Sequence, residues 1–166
     1  MEKIQLIEQV SVAYTADVAV IGGGPSGFCA AIVAARSGAR TILIEEGNCA
    51  GGMATKGLVG PFMTCYDKDG QTMIVRGLFA EIVDRLVERG GAIHPSQVQT
   101  GTAFTSWIKI GHAHVTPFEP EVLKRLMDDM LLEAKVETLY HTHFLLPVMN
   151  ENKLEKLIVH SKSGLQ

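Results

Sequence analysis

The stretch that decides the fold is Val18-Ala19-Val20-Ile21-Gly22-Gly23-Gly24-Pro25-Ser26-Gly27, an apolar run that enters a glycine-rich turn. Gly22 can turn the chain tightly, Gly24 lets the backbone approach a pyrophosphate, and Gly27 lets the following helix pack on the strand. This spacing predicts a strand, a phosphate-binding turn and a helix in succession.

The predicted helix begins near Pro25 and ends near Ser37-Gly38. Proline suits the first turn of a helix, and the unpaired N–H groups around Ser26 carry a partial positive charge. Such a helix start is a natural binding site for phosphate oxygens.

A second apolar run, Thr41–Ile44, is predicted to be a buried parallel strand. Glu45 at its end is placed to accept the ribose hydroxyls of a nucleotide, and Glu46 beside it adds to the repulsion of a 2′-phosphate. Residues 16–46 are therefore predicted to form a βαβ dinucleotide-binding unit. The alternative is a glycine-rich loop with only a structural role.

The composition is ordinary for a soluble domain, since 46% of the 166 residues are hydrophobic and 20% are charged. The net charge is -3, so the chain offers no basic field to a nucleic acid. No apolar stretch reaches the length of a membrane span, and residues 1–5 do not resemble the start of a signal peptide. We expect one cytoplasmic domain with no nucleic-acid or membrane partner.

The three cysteines, Cys29, Cys49 and Cys65, contain no CxxC pair. This pattern fits reduced thiols better than a disulfide framework or a metal site, and we predict no metal.

Beyond residue 46 the pattern predicts two amphipathic helices and a β-meander hairpin. The helices are Leu78–Arg89 and residues 120–134, and the strands are Val136–Val148 and Leu154–His160, joined by a turn at 150–153. Residues 1–15 are predicted to be an N-terminal extension, either an edge strand or an arm. Residues 47–76, with Met53, Leu58 and Phe62 among their apolar anchors, and residues 92–116 are predicted to be loops, the latter with weak strand character at 104–110 and 112–115.

Three stretches of the sequence carry a family resemblance: Asp17–Glu46, the segment Gly51-Gly52-Met53-Ala54-Thr55 with residues 57–62 after it, and the helix start Phe118-Glu119-Pro120-Glu121. In these stretches the chain resembles the FAD-dependent oxidoreductases that have a glutathione-reductase-like FAD-binding domain. The resemblance implies an α/β fold, a Rossmann-like FAD/NAD(P)-binding domain with a central parallel sheet and a β-meander hairpin.

The resemblance also implies the cofactor FAD and its contacts. The second glycine pair, Gly51-Gly52, would extend the pyrophosphate-binding segment towards the flavin. Met53 and Thr55 would lie near the flavin, and the strand around His143 would offer backbone groups to the adenine. The cofactor-binding residues expected in this way are Gly22, Gly24, Pro25, Ser26, Gly27, Glu45, Glu46, Gly51, Gly52, Met53, Thr55 and His143.

In this family a further strand with an Ala-Thr-Gly-Asp type motif, and then a substrate domain, normally follow such a hairpin, and neither occurs in residues 1–166. We therefore expect a single, incomplete FAD-binding domain, either the N-terminal piece of a larger enzyme or a split subunit. Uncovered strand edges would favour a homo-oligomer or association with the missing remainder.

No side chain is assigned a catalytic role, because the flavin itself carries out redox chemistry. Cys49 is expected to be a small loop residue, with a redox role beside the flavin as the alternative. Lys56, Tyr66 and Arg76 are expected to be solvated, with contact to a flavin carbonyl or an anionic substrate as the alternative. Two histidine pairs, His112/His114 and His141/His143, have the spacing of residues on one face of a strand, but alternation alone creates such pairs. Trp107 is expected to pack.

Three functions are open at this level. The first is the FAD-binding portion of a flavin-dependent oxidoreductase that acts on an unidentified small molecule. The second is a non-catalytic nucleotide-binding or assembly module, and the third is an NAD-dependent dehydrogenase, which leaves Gly51-Gly52 and the meander unexplained.

Overall fold

The computed structural model describes residues 9–98 and 113–166. In these residues the strands are β1 (Val18–Ile21), β2 (Thr41–Ile44), β3 (Glu137–Leu139), β4 (His143–Asn150), β5 (Lys153–Ser161) and β6 (Gly164–Leu165). The helices are α1 (Pro25–Arg36), α2 (Leu78–Glu88) and α3 (Pro120–Glu133), with single 3-10 turns at Gly52–Ala54 and Pro95–Gln97.

A parallel sheet with the order β1-β2-β3 forms the centre of the fold. Val18 lies opposite Thr41, and Ile42 lies opposite Glu137. All four residues of β2 are buried, as expected for a parallel strand that is covered on both faces. The predicted βαβ unit is confirmed, with α1 as the crossover helix.

Helices α1 and α3 cover one face of this sheet, and α2 packs against α3. Phe28 from α1, Leu43 from β2, Leu86 from α2 and Leu123 from α3 are fully buried in one cluster. The apolar stripes of α2 and α3 therefore form core, as their periodicity predicts.

The antiparallel sheet β4-β5-β6 covers the other face. Ile42 and Ile44 point away from the helices and pack against Val159 of β5. The fold class predicted from the sequence, a Rossmann-like domain with a parallel sheet and a meander, is confirmed.

The predicted strand Val136–Val148 is wrong in one respect, because the chain forms two strands there, in two different sheets. β3 pairs with β2, and the chain then bends at Tyr140–Thr142, where His141 has a positive φ of 53°. The bend is fixed from outside the segment, since the N–H of His141 donates to Gly47 and that of Thr142 to Glu45. The sheet thus gains a third parallel strand that the apolar pattern did not separate from β4.

The same bend removes His141 from any strand, so His141 and His143 do not form the pair on one strand face that their spacing suggested. Residues 9–15 carry no regular secondary structure. His112, Trp107, residues 104–110 and residues 1–8 lie outside the described residues. Over the described ranges, no helix is long and apolar enough to cross a membrane, and no three His, Cys, Asp or Glu side chains are grouped as metal ligands.

Candidate functional site

The glycine turn after β1 is built on two close backbone contacts. Gly22 has a φ of +91°, a left-handed conformation that favours glycine, and its N–H donates to the carbonyl of Ile44 at 2.8 Å. A Cβ on Gly27 would lie only 1.8 Å from the carbonyl oxygen of Gly22. The fold itself therefore requires glycine at both positions.

Gly24 differs, because a Cβ there would meet no atom within 4 Å. Gly24 is the N-cap of α1, no side chain caps the helix, and its first turn contains no acidic residue. Pro25 and Ser26 at the helix start are exposed. The result is an open space in front of free N–H groups, which fits a phosphate group of a dinucleotide.

The second glycine pair packs directly on this turn. Gly51 and Gly52 have φ values of +102° and +50°, and the N–H of Gly51 donates to the carbonyl of Gly23 at 2.7 Å. A Cβ on Gly52 would lie 2.9 Å from the Cα of Gly24. The two glycine segments, separated by about one βαβ unit in sequence, thus line one groove at the N-terminus of α1.

Thr55 serves the loop's own structure in this arrangement. Its side chain is fully buried, and its hydroxyl donates to the carbonyl of Ala50 at 2.7 Å. A Cβ on Gly51 would lie 2.3 Å from the Thr55 methyl group. Thr55 therefore shapes the glycine pair from behind, whereas Met53 in the 3-10 turn is 62% exposed.

Glu45 is buried, and its carboxylate has three donors. Oε2 accepts from the N–H of Gly23 at 2.7 Å, while Oε1 accepts from the N–H of Gly47 at 2.7 Å and from Lys56 Nζ at 2.6 Å. Burial alone would raise the pKa of Glu45, but Lys56 and the two backbone N–H groups lower that pKa below its usual value. The carboxylate is therefore ionised at neutral pH.

Lys56 is the partner that sequence reasoning did not connect with Glu45. The carboxylate of Glu45 raises the pKa of the Lys56 ammonium by accepting its hydrogen bond. The sequence placed Lys56 in a loop facing solvent, the flavin or a substrate, and no local pattern links it to a residue eleven positions earlier. The sequence contains one hint of this contact, which is the position of Lys56 shortly after the glycine pair Gly51-Gly52.

Glu46 and His143 lie next to each other at the same edge of the sheet. Glu46 is exposed, and its Oε2 lies 3.6 Å from Nδ1 of His143. The backbone contacts of His141 with Gly47 and of Thr142 with Glu45 hold the two segments together. His143, which was predicted to lie at the adenine, is thus adjacent to Glu46 and to the end of β2 at Glu45, which were predicted to lie at the ribose.

The other candidate side chains, Tyr66, Arg76 and Cys49, contact residues of the protein's own loops. The Tyr66 ring stacks on His114 with centroids 4.5 Å apart, and Nε of Arg76 donates to the carbonyl of Met73 at 2.6 Å. Cys49 is 5% exposed, with Sγ 3.9 Å from the Thr55 hydroxyl. Each of these three side chains therefore has a contact inside the loop region, and the role of Cys49 as a small loop residue stays a prediction.

Several solved structures share this fold. The 3-ketosteroid-delta4-(5alpha)-dehydrogenase from Rhodococcus jostii RHA1 superimposes with a TM-score of 0.59 over 93% of this chain and 44% of its own, at 15% identity. A geranylgeranyl bacteriochlorophyll reductase-like protein from Thermoplasma acidophilum gives a TM-score of 0.57 over 90% of this chain and 36% of its own, at 16% identity. A flavocytochrome c3 fumarate reductase gives 0.58 over 92% and 32%, at 17% identity. The chain therefore has the same fold as these structures, a Rossmann-like α/β domain.

Residues 17–166 match the family of FAD dependent oxidoreductases, and the chain belongs to that family. A 36-residue segment is 56% identical to sarcosine oxidase subunit alpha of Rhizobium meliloti (strain 1021), which amounts to 22% of this chain and 4% of that protein. The cofactor is accordingly FAD, and the chain forms an FAD-binding portion of a flavin oxidoreductase. It spans about a third of the flavocytochrome c3 fumarate reductase chain.

Proposed function

We propose that the groove between the two glycine segments holds the pyrophosphate of FAD, with the adenosine towards β2 and β3 and the flavin towards the loop after Gly52. Gly24, Pro25, Ser26 and Gly52 line the pyrophosphate site, and Gly22, Gly27 and Gly51 shape it through their backbone contacts. Glu45, Glu46 and His143 lie at the adenosine end, while Met53, backed by Thr55, lies at the flavin end. This proposal rests mainly on the close packing of the two glycine segments at the uncapped start of α1. A Cβ added to Gly52 would lie only 2.9 Å from the Cα of Gly24.

Bound FAD would supply hydride transfer to or from a small organic substrate. The chain's own contribution is binding and orientation. The free N–H groups of α1 offset the charge of the diphosphate, and the absence of an acidic residue in the first helical turn avoids repulsion. The missing side chain of Gly24 leaves room for the phosphate oxygens.

We propose further that the protein acts in the cytoplasm and that β1, whose outer edge pairs with no strand among residues 9–98 and 113–166, associates with another copy of the chain. Gly22 directs its N–H to β2, so the backbone groups of Ala19 and Ile21 point to the opposite side, where no described strand pairs with β1. Ile21 is 49% exposed, and β1 carries no charge or proline to protect this edge. Analytical ultracentrifugation of the wild-type chain and of Ile21→Lys tests this: association lost in the variant supports it, and a monomeric wild type refutes it.

The Gly24→Val substitution tests the FAD site. Gly24 has a φ of -62° and open space around a Cβ, so the fold accepts valine, whereas the added methyl groups would fill the space for the pyrophosphate. We expect the variant to keep the wild-type circular dichroism spectrum and melting temperature without FAD, and to lose FAD binding measured by quenching of flavin fluorescence.

Ala30→Val is the matched control, since it adds similar bulk to an exposed position on the same helix. This control should bind FAD as the wild type does. Undiminished FAD binding by a folded Gly24→Val protein would refute the proposed site. FAD binding without flavin reduction by any donor would leave a non-catalytic nucleotide-binding module as the better description.

A further inference from the structure

The ion pair between Lys56 and Glu45 joins the loop after the second glycine pair to the end of β2. Lys56 Nζ lies 2.6 Å from Oε1 of Glu45, and the Glu45 side chain is only 6% exposed. The chain leaves room for this contact at Gly47, because a Cβ there would lie 2.0 Å from Nζ. Lys56 thus reaches the buried Glu45 carboxylate past Gly47, and a side chain at position 47 would collide with the Lys56 ammonium group.

The position of Glu45 creates an electrostatic problem for a diphosphate. Its carboxylate is held by the N–H of Gly23, in the middle of the glycine turn that lines the proposed groove. That N–H is therefore occupied, and the turn carries a buried negative charge beside the place where a doubly charged group would lie. Like charges at short range in a partly buried site repel strongly.

We propose that Lys56 is a positioning residue for FAD binding, acting as the countercharge that holds the Glu45 carboxylate on Gly23 and Gly47 and offsets its repulsion of the diphosphate. This inference rests on the proposed function. The role is exerted through Glu45, and direct contact between Lys56 and the cofactor is the competing explanation.

A double-mutant cycle separates the two explanations. The full chain carries Lys56→Met, Glu45→Gln or both, and the FAD dissociation constant is measured by flavin fluorescence at fixed ionic strength. We expect Lys56→Met to weaken binding about tenfold or more in the wild-type background, as for the loss of a hydrogen-bonded partner of a buried charge. In the Glu45→Gln background, where no charge needs to be offset, the same change should have an effect of less than about twofold. Lys56→Arg, which keeps the charge, should restore most of the affinity.

The melting temperature of the FAD-free variants gives a second measurement of the same cycle. Lys56→Met should lower it in the wild-type background and leave it nearly unchanged in Glu45→Gln. Lys68→Met is the control for the loss of one positive charge, because Lys68 is an exposed lysine of the same loop. This control should change neither quantity.

Equal effects of Lys56→Met on FAD binding in both backgrounds would overturn the inference in favour of a direct contact. Unchanged binding after Lys56→Met in the wild-type background would also overturn it. If the unaltered chain failed to bind FAD, the proposed function would fail instead, and the melting-temperature cycle would still decide whether Lys56 acts through Glu45.

Discussion

Gly27 and Gly24 occupy the same turn, yet an added methyl group should act in opposite ways at the two positions. On Gly27 the Cβ would lie 1.8 Å from the Gly22 carbonyl oxygen, so helix and strand must separate by more than an ångström. Overpacking of this kind costs about 3 kcal/mol, and replacing glycine by alanine in a helix returns about 1 kcal/mol. We expect Gly27→Ala to destabilise the FAD-free protein by about 2 kcal/mol, a fall of roughly 4–8 °C in melting temperature for a chain of this size.

Gly24→Ala is the matched comparison. Its Cβ meets nothing within 4 Å, and its backbone has the extended conformation that alanine adopts readily. The unfolded chain loses freedom, so we expect the FAD-free protein to be unchanged or more stable by up to about 1 kcal/mol. Urea unfolding of both variants without FAD measures the difference. Equal stability of the two variants, or greater loss in Gly24→Ala, would refute the assignment of Gly27 to packing and Gly24 to open space.

Three further predictions concern the core, the helix surface and pH. Leu126→Ala should lower the free energy of unfolding by about 2–5 kcal/mol, because Leu126 is fully buried between the helices; a loss below 1 kcal/mol in urea unfolding would contradict the placement of the core. Arg85→Met should cost only about 1 kcal/mol, because the partly exposed Arg85 pairs with Glu133 at 2.8 Å and with Glu81, and both carboxylates remain open to solvent; adding 0.5 M salt should shrink this difference, and an effect that salt leaves unchanged would count against it. Because the pKa of Glu45 is lower in the folded state than its ordinary value of 4.5, its contribution to stability is present above about pH 4.5 and is lost as the pH falls through the folded-state pKa. The stability advantage of the wild type over Glu45→Gln should therefore shrink on acidification from pH 6 to pH 3, and a constant difference over that range would contradict the ionised state of Glu45.

Local patterns were sufficient for the elements that build the groove. The apolar run of β1, the glycine spacing and the start of α1 at Pro25 each depend on residues that are close in sequence, and the structure has them at the predicted positions. The same holds for α2 and α3, whose stripes repeat with the helical period.

Non-local contacts explain what sequence reasoning missed. The division between β3 and β4 is fixed by hydrogen bonds from residues 141 and 142 to the segment after β2, which no pattern within 136–148 records. The predicted loop anchors also differ in outcome: Phe62 stacks on Phe118, whereas Met53 and Leu58 are 62% and 70% exposed. The contact of Lys56 with Glu45 likewise depends on how two loops meet.

Whether the groove holds FAD is measured by an equilibrium titration of the unaltered chain with FAD, followed by flavin fluorescence and repeated with ADP and with NAD as competitors. We expect saturable binding of one FAD per chain and displacement by ADP, because the groove holds the adenosine diphosphate half. NAD shares that half but lacks the flavin, so we expect it to compete more weakly than unlabelled FAD does. A correctly folded chain that leaves flavin fluorescence unchanged at every concentration, or that binds NAD in preference to FAD, would contradict the proposed site.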